Sequence, residues 1–414
     1  MQTQSPQSRK RGQDASEAES SRTPYLIDAM MANMQLEEKL TAKTMLQRFF
    51  SMGSIVSTSS SFANRQQDAI GTRAQYRCIG AGTCGQIFKV PGTSYVFKLA
   101  KHAGGDTDML WNDYSQHVKI QEVFDKLGRN ELQVRTPRVW YFVQMDDDIW
   151  WLQNRDRFPK TVTHWTNLLC TERILPIPRP LRECLIEEYC PKNGVEQAKE
   201  TESNKDCLVR LYLGKRRSRV TTSVFSLRNF CLHVDQMEEL ELKTSQFAIA
   251  IAEALAWMHW ACRLDANDVE FVMGSAPDSS ADPHLIVPKP LASIHVDKMK
   301  PNTSTWNAHI NDFKKRQIHI WMLDFNRCRT FHPSDLTPLV TAFFLNDPYY
   351  PRPHSTNSRD QHLWTVFRET YEDSGRRALN WQKREDEFLK LPGQFMDMVE
   401  ETQKKRLEVK QSLS

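Results

Sequence analysis

Residues 80–87 read Gly80-Ala81-Gly82-Thr83-Cys84-Gly85-Gln86-Ile87, with glycines at the first, third and sixth positions. A β-rich run precedes this loop at 76–79, and another follows at 86–90. Glycines let backbone N–H groups approach phosphate oxygens, because no Cβ stands in the way. A dinucleotide-binding loop leads into a helix, whereas this one leads into a strand. The pattern therefore favours the phosphate-covering loop of a kinase-like fold, and a ligand-free glycine-rich hairpin is the alternative.

The next β-rich run, 95–100, follows a Pro-Gly-Thr-Ser turn and carries Lys98. In kinases a strand lysine after the glycine loop holds the α- and β-phosphates, and a carboxylate on the following helix pairs with it. A helix is predicted near 111–127, so Asp113 is the first candidate for this carboxylate and Glu122 the second. A solvated lysine at a sheet edge is the alternative interpretation.

An apolar segment at 247–260 predicts a buried helix, and Asp265 follows it. Kinase catalytic loops place an aspartate five residues before an asparagine and then enter a strand. Asp265 occupies the position of the catalytic base, and Glu270 occupies that of the asparagine, ahead of a strand beginning at 271.

A further apolar strand, 318–323, ends in Asp324-Phe325-Asn326, close to the Asp-Phe-Gly that holds Mg²⁺ in kinases. Carboxylates are hard oxygen ligands, so Glu270 and Asp324 are predicted to share a Mg²⁺ ion. The strand predicted at 168–175 contains Glu172 and falls where a linker between two lobes would face an adenine ring.

In this order the features predict an α+β, bilobal protein-kinase-like fold, with a strand-rich N-lobe, a helical C-lobe and irregular insertions. The predicted boundaries are a disordered tail at 1–23, a helical N-terminal extension at 24–74, the N-lobe at 75–172, and the C-lobe at 173–414, with insertions at about 176–243 and 274–317.

Several residues depart from the kinase pattern. Arg263-Leu264 stands where His-Arg is usual, Glu270 replaces the asparagine, and Asn326 replaces the last glycine of Asp-Phe-Gly. The gap from Glu270 to Asp324 is long, and no Ala-Pro-Glu follows. These changes bear on catalysis rather than on the fold.

Other segments carry simpler expectations. A strand is predicted at 149–153, after a solvated acidic turn at 146–148, and the basic run at 214–219 is predicted to be solvated. Helical patterns lie around Trp364 and around Phe388, with Pro392-Gly393 expected to break the second.

Composition excludes several classes of protein. A formal net charge of +4 over 414 residues is too small to indicate a nucleic-acid-binding surface. The nine cysteines contain no Cys-x-x-Cys, and no histidine pair has zinc-finger spacing, so zinc is not expected. The odd cysteine count, the polar N-terminus and the lack of a long apolar run predict reduced thiols in an intracellular protein, cytoplasmic or nuclear, neither secreted nor membrane-bound.

Six stretches, between roughly 75 and 360, resemble those of a known family: 110–114, 212–217, 254–260, 268–272, 323–326 and 342–351. The chain is similar there to a fungal family that carries domain of unknown function 3669 and is often labelled zinc finger protein. The resemblance implies a fungal source and no established activity.

The leading hypothesis is an ATP- and Mg²⁺-dependent phosphotransferase acting on an unknown protein or small-molecule acceptor. Gly80, Gly82 and Gly85 would contact the nucleotide. Lys98 would hold phosphates, while Asp265 would orient or deprotonate the acceptor hydroxyl. The alternative is a pseudokinase-like interaction module without turnover. A zinc- or nucleic-acid-binding protein is the third hypothesis.

Overall fold

The structure, a computed structural model, describes residues 41–50, 54–57, 74–82, 84–102, 109–128, 131–217, 225–277 and 315–412. These residues form a mixed α+β protein with ten α-helices and two β-sheets. None of these helices combines the length and the apolar character that crossing a membrane requires. The tail predicted at 1–23 and most of the insertion predicted at 274–317 lie outside the described residues.

The strands and helices alternate irregularly along the chain. The strands are β1 Ile55–Ser57, β2 Arg77–Ala81, β3 Gly85–Lys89, β4 Tyr95–Ala100, β5 Val134–Arg135, β6 Val139–Val143, β7 Leu168–Glu172, β8 Val209–Tyr212, β9 Phe230–His233, β10 Glu270–Pro277 and β11 Lys315–Leu323. The helices are α1 Ala42–Phe49, α2 Met109–Leu127, α3 Asp148–Asn154, α4 Arg179–Tyr189, α5 Val195–Glu200, α6 Val234–Glu239, α7 Thr244–Trp260, α8 Thr337–Leu345, α9 Ser358–Trp381 and α10 Leu391–Ser412.

The smaller sheet has five antiparallel strands in the order β2-β3-β4-β7-β6. One of its faces packs on an aromatic cluster that includes Phe88, Phe97, Trp151 and Phe158. The glycine loop joins β2 to β3, and Lys98 pairs in register with Leu169 of β7. The glycine loop and the lysine therefore lie on neighbouring strands.

The larger sheet has six strands in the order β1-β11-β10-β8-β9, with β5 pairing parallel to β11. Strands β10 and β11 are antiparallel partners over their whole shared length, from Glu270 opposite Leu323 to Pro277 opposite Arg316. The C-terminal part of the chain is thus not simply helical, because it contains four strands of its own sheet. The strands predicted from 271 and at 318–323 are part of this sheet, and β8 and β9 add two strands to a region that was predicted to be mainly helical.

Helix α7 is buried on nearly all of its faces, as its uniformly apolar sequence predicts. Its small residues, such as Ala250 and Ala254, allow close packing in the main core. The hydroxyl of Tyr371 on α9 accepts the indole N–H of Trp260 at 2.9 Å and lies 2.7 Å from Nδ1 of His259. Helix α9 therefore fixes the end of α7, immediately before Asp265.

Three local expectations are corrected. The strand predicted at 149–153 is helix α3, because the Asp147 carboxylate accepts the N–H of Trp150 and caps the helix. The segment 176–243, expected to be irregular, contains three helices and two strands. Pro392 lies in the first turn of α10 rather than breaking a helix, a position where its missing N–H costs nothing.

Two arginines of the basic run form ion pairs, while residues 218–219 of that run lie outside the described residues. Arg216 forms ion pairs with Glu238 at 2.9 Å and with Asp360 at 2.6 Å. Arg217 pairs with Asp235 at 2.6 Å and with Glu239. These contacts tie the run after β8 to helices α6 and α9.

Candidate functional site

A cleft lies between the five-stranded sheet and the end of β11. It encloses about 1380 Å³, part of it open to solvent. Its lining includes Gly80, Gly82, Gly85, Ile87, Val96, Lys98, Asp113, Glu172, Arg173, Leu208, Arg210, Glu270, Leu323 and Asp324. Apolar and charged groups thus share one cleft.

Lys98 lies at the centre of the charged part of the cleft. Its ammonium nitrogen is 2.6 Å from Oδ2 of Asp113 and 2.7 Å from Oδ1 of Asp324. Burial alone would lower the pKa of Lys98, but the two carboxylates outweigh it and raise the pKa above the ordinary lysine value. The lysine side chain is therefore a fixed positive charge, and its helix partner is Asp113 rather than Glu122.

Helix α2 is also tied to the segment that follows β11. Oδ1 of Asp113 accepts the backbone N–H of Phe325 at 3.1 Å. The amide group of Asn112 donates to the carbonyl oxygens of Asn326 at 2.8 Å and of Cys328 at 3.0 Å. The Asp-Phe-Asn segment is thereby held against the helix that supplies the lysine's partner.

The three loop glycines differ in how much space a Cβ atom would have at each position. A Cβ on Gly85 would lie 2.2 Å from the carbonyl oxygen of Leu99, so β4 excludes any side chain there. A Cβ on Gly82 would meet no atom within 4 Å, and one on Gly80 would make ordinary contact with Ile87. Packing among the described residues therefore requires a glycine at position 85 and does not require one at position 82.

Cys84 connects the glycine loop to the Asp-Phe-Asn segment. The amide group of Asn326 donates to its Sγ at 2.7 Å. Burial raises the pKa of the Cys84 thiol, although this hydrogen bond and Lys98 oppose the shift. Each of the nine cysteines, all in the described residues, is an unpaired thiol.

Glu270 lies in the same cleft, at the start of β10, but it is held by an arginine. Arg210 on β8 pairs with Glu270 and, at 2.9 Å, with Asp347. Burial raises the pKa of Glu270 to about 7 against the pull of Arg210, and the negative charges of Asp324 and Asp347 contribute to the rise. Metal binding by Glu270 would have to compete with this arginine.

Asp265 does not line the cleft. Its Oδ1 accepts the backbone N–H groups of Asn267 at 3.1 Å and of Arg329 at 2.9 Å, and only 6% of the residue is exposed. Burial raises the pKa of this carboxyl group. In the structure Asp265 shapes its own loop and joins it to the segment after Phe325.

Asp268, which the sequence did not single out, does not line the cleft either, but it is more exposed than Asp265. Its side chain is 45% exposed and lies 3.4 Å from Nε of Arg327. Burial, together with the charge of Asp324, raises the pKa of Asp268. The side chain of Asn346 fixes the loop by accepting the N–H of Asp268 at 2.7 Å and donating to the carbonyl of Ala266 at 2.9 Å.

Four of the eight non-glycine residues with positive φ among the described residues lie at or near these carboxylates. Arg263, Ala266, Asp268 and Asp324 all have positive φ angles, between 55° and 68°. Left-handed conformations of non-glycine residues cost energy and cluster at functional sites, where the surrounding structure imposes them.

Glu172 lies at the end of β7 and lines one edge of the cleft. Its Oε2 accepts the backbone N–H of Arg138 at 3.0 Å, and its own N–H donates to the Arg138 carbonyl at 2.7 Å. The N–H of Arg173 donates to the Ser94 carbonyl at 2.6 Å. These two linker amides are thus engaged within the protein.

The fold and the cleft define a mixed α+β protein with a glycine loop and a lysine–carboxylate centre between two sheets. A family model, domain of unknown function 3669, described as "zinc finger protein", matches residues 320–383. The matched part includes Asp324, Asn346 and Asp347, and the chain is similar to that family over these residues. No curated protein matches the chain significantly.

Three of the four cysteine and histidine residues in the matched part have other contacts, and the fourth, His362, is exposed. Cys328 is buried with Sγ 3.6 Å from the Asn267 carbonyl oxygen. Nδ1 of His332 lies 2.7 Å from the Ser334 hydroxyl, and Nε2 of His354 lies 3.0 Å from the Glu400 carbonyl. Within the ranges that the structure describes, no group of three or more His, Cys, Asp or Glu is arranged to hold a metal.

Magnesium needs fewer protein ligands than zinc, because one or two carboxylates plus substrate phosphates hold it in many phosphotransfer sites. Asp324 and Glu270 both line the cleft and offer such oxygens. The donor set therefore fits a Mg²⁺ ion that enters together with a nucleotide.

Several residues that shape the site carry no recognisable sequence signal. Arg210, Asp268, Asn346 and Asp347 stand at no spacing that a motif defines, and only the fold brings them together. Asn346 and Asp347 do lie in the 342–351 stretch, which was noted for family resemblance rather than for chemistry.

Proposed function

We propose that this chain is a kinase-like phosphotransferase that binds ATP with Mg²⁺ in the cleft beneath the glycine loop. The observation that carries the proposal is the position of Lys98 between Asp113 and Asp324. In protein kinases an ion pair between the strand lysine and a helix carboxylate, together with a metal-binding aspartate, must be in place for phosphoryl transfer. Asp113 takes the part of the helix glutamate in this comparison.

The roles of the chain's own residues follow from their positions. Gly80 and Gly82 leave room for phosphates, which Lys98 would bind through its ammonium group. Asp324 and Glu270 would hold Mg²⁺, which when bound neutralises phosphate charge. Ile87, Val96 and Leu323 offer apolar surface to the base.

We assign the role of general base, which removes the proton of the acceptor hydroxyl, to Asp268 rather than to Asp265. One oxygen of the buried Asp265 carboxylate already accepts two backbone N–H groups, whereas the Asp268 side chain is half-exposed and its pKa responds to the charge of Asp324. A general base must come within hydrogen-bond reach of the proton that it removes. The acceptor, a protein or a small molecule, would therefore approach from the side of Asp268.

Nucleotide-dependent thermal stabilisation tests the proposal, because a ligand that binds only the folded protein raises its melting temperature. ATP with Mg²⁺ should stabilise the wild type, and Lys98→Met should abolish this response. Lys101→Met is the matched control, since it removes an exposed lysine three positions along and should leave the response intact. The proposal fails if no nucleoside triphosphate stabilises the wild type.

A pseudokinase-like interaction module is the second candidate. The engaged Asp265 carboxylate and the Arg210–Glu270 pair favour it. Release of ADP from ATP, measured for the wild type and for Asp268→Asn, distinguishes the phosphotransferase from the interaction module. Binding with no ADP release from the wild type would favour the module over the enzyme.

A further inference from the structure

An aromatic groove lies at the margin of the five-stranded sheet, where β6 is the edge strand and α2 packs beside it. It encloses about 700 Å³, part of it open to solvent, and it shares no lining residue with the nucleotide cleft. Its lining residues are Trp111, Tyr114, Trp140, Tyr141, Phe142, Gln144 and Asp147. The proposed phosphotransfer uses none of them.

Three of the rings form one packed wall of the groove. The ring centroids of Trp111 and Phe142 are 5.0 Å apart, with their planes at 80°. The Tyr114 ring lies 5.4 Å from Trp111 and 5.5 Å from Phe142. Contacts of this geometry are favourable and hold the rings in position. Trp111 is nevertheless 49% exposed, so a large part of the wall faces solvent.

Exposed apolar side chains are concentrated in the same part of the chain. Five of the eight large hydrophobic residues that are exposed in the described ranges fall between positions 111 and 152, namely Trp111, Tyr141, Met145, Ile149 and Leu152. Met145 and Ile149 stand two positions to either side of Asp147, and Ile149 is 74% exposed. Large exposed apolar patches mark surfaces that bind a partner.

The turn after β6 adds negative charge to this surface. Asp146, Asp147 and Asp148 are exposed, and within the described residues none of them forms an ion pair. Oδ1 of Asp147 accepts the backbone N–H of Trp150 at 3.0 Å, which leaves Oδ2 for another donor. No lysine or arginine of the described ranges lines the groove. The groove thus combines aromatic rings with a carboxylate that lacks a counter-charge.

A guanidinium group matches both features. It is planar and weakly hydrated, so it stacks on aromatic rings, and its fixed N–H donors also bind carboxylates. A lysine ammonium is more strongly hydrated and has no plane to stack, so contact with the rings would cost it more water. The chemistry of the groove therefore favours arginine over lysine.

We propose that this groove docks a segment of a partner protein through an arginine whose guanidinium stacks on Trp111 and pairs with Asp147. Apolar residues beside that arginine would pack on Tyr141 and Met145. The acidic turn selects such a segment over a neutral apolar one, because its charges complement the arginine.

Short labelled peptides with a central arginine flanked by leucines test this surface, by fluorescence anisotropy with the full chain. The arginine peptide should bind saturably. Citrulline in place of the arginine keeps the shape and removes the charge, and should weaken binding by at least about tenfold. Lysine in that place should weaken it by about threefold. No saturable binding, or equal affinity for the citrulline or the lysine peptide, would overturn the proposal.

Two matched pairs of variants locate the peptide. Trp111→Leu keeps an apolar side chain and removes the ring, so it should weaken binding by about three- to tenfold. Trp381→Leu, at an exposed tryptophan elsewhere, should leave binding unchanged. Asp147→Asn keeps an acceptor for the helix cap and removes the charge, so it should weaken binding by about threefold. Glu196→Gln, which removes an exposed charge elsewhere, is its control.

The carboxylates of the phosphotransfer site are another place where a basic peptide would bind. Loss of binding in Asp268→Asn, with no loss in Trp111→Leu or Asp147→Asn, would assign the peptide to that site and overturn the proposal. Asp147→Asn decides the matter if Trp111→Leu does not fold.

Discussion

The ammonium nitrogen of Lys98 lies 2.7 Å from a carboxylate oxygen of Asp324, although 226 positions separate the two residues in the chain. Lys98 belongs to the five-stranded sheet, and Asp324 directly follows a strand of the six-stranded sheet. The ion pair therefore joins the two sheets at the cleft. Lys98 also pairs with Asp113, so the cluster contains one positive and two negative side chains.

Lys98→Met should destabilise the protein, because it leaves two carboxylates facing each other without a counter-charge. Breaking a buried ion pair costs about 3–5 kcal/mol, and the 30% exposure of the Asp324 side chain places the expected loss at the lower end. Urea unfolding measures it. Lys101→Met should have little effect, and adding Asp324→Asn to Lys98→Met should restore part of the loss. Equal stabilities of the wild type and Lys98→Met would contradict this account.

The loop glycines provide a matched pair of substitutions. Gly85→Ala should cost about 1–3 kcal/mol of folding stability, because its Cβ would overlap the Leu99 carbonyl oxygen. Gly82→Ala should change stability by no more than about 0.5 kcal/mol, since nothing lies near its Cβ.

The same pair separates packing from ligand contact. Gly82→Ala should weaken Mg·ATP binding by about tenfold in a titration, because phosphates would approach the backbone at that position. Unchanged nucleotide affinity in a stable Gly82→Ala protein would show that phosphates do not contact this glycine.

Local sequence patterns correctly predicted the strands on either side of the glycine loop and the strand that carries Lys98. Alternation and turn residues specify β2, β3 and β4, because these strands are consecutive and pair with their neighbours. The helix predicted after the lysine strand contained both carboxylate candidates, Asp113 and Glu122, and the structure selects Asp113. These parts depend on short-range patterns, which one sequence displays directly.

Two arrangements were not predicted, one that depends on a local helix cap and one that depends on a contact between distant residues. Helix α3 was mistaken for a strand because Trp150 and Trp151 have high strand propensity, and the Asp147 cap overrode it. Glu270 was predicted only as a Mg²⁺ ligand together with Asp324, and its ion pair with Arg210, sixty positions earlier, was not predicted. No periodicity reports such a pairing, since the two strands meet only in the folded sheet.

Acidification should destabilise the protein through His259. Burial lowers the pKa of this histidine to about 3, whereas an unfolded histidine has a pKa near 6.5. The unfolded state therefore binds more protons between these values, and the His259 contribution to stability falls as pH drops below about 6.5. Between pH 7 and pH 5 this one group should cost about 2 kcal/mol.

His259→Gln keeps a polar group near the Tyr371 hydroxyl and removes the titration. Its unfolding free energy should change less than that of the wild type between pH 7 and pH 5, by about 2 kcal/mol. His362→Gln, at an exposed histidine, is the control and should follow the wild type. Parallel pH profiles for the wild type and His259→Gln would show that the buried imidazole does not set this dependence.

Glu270 and Arg210 should control the response to Mg²⁺ in opposite directions. A divalent cation near Asp324 and Glu270 relieves carboxylate repulsion, so Mg²⁺ should raise the melting temperature of the wild type. Glu270→Gln removes the negative charge of one predicted metal ligand, so the increase in melting temperature caused by Mg²⁺ should be smaller. Arg210→Met removes the positive charge that Glu270 and Asp347 share, so it should lower the metal-free melting temperature and enlarge the increase. At a Mg²⁺ concentration of 100 times Kd, the full effect corresponds to about 2.7 kcal/mol.

Glu196→Gln, at a glutamate with an 89% exposed side chain, is the control for loss of one surface charge. If the wild type, Glu270→Gln and Arg210→Met all gain the same stability from Mg²⁺, Glu270 is not a ligand, and its pairing with Arg210 is purely structural.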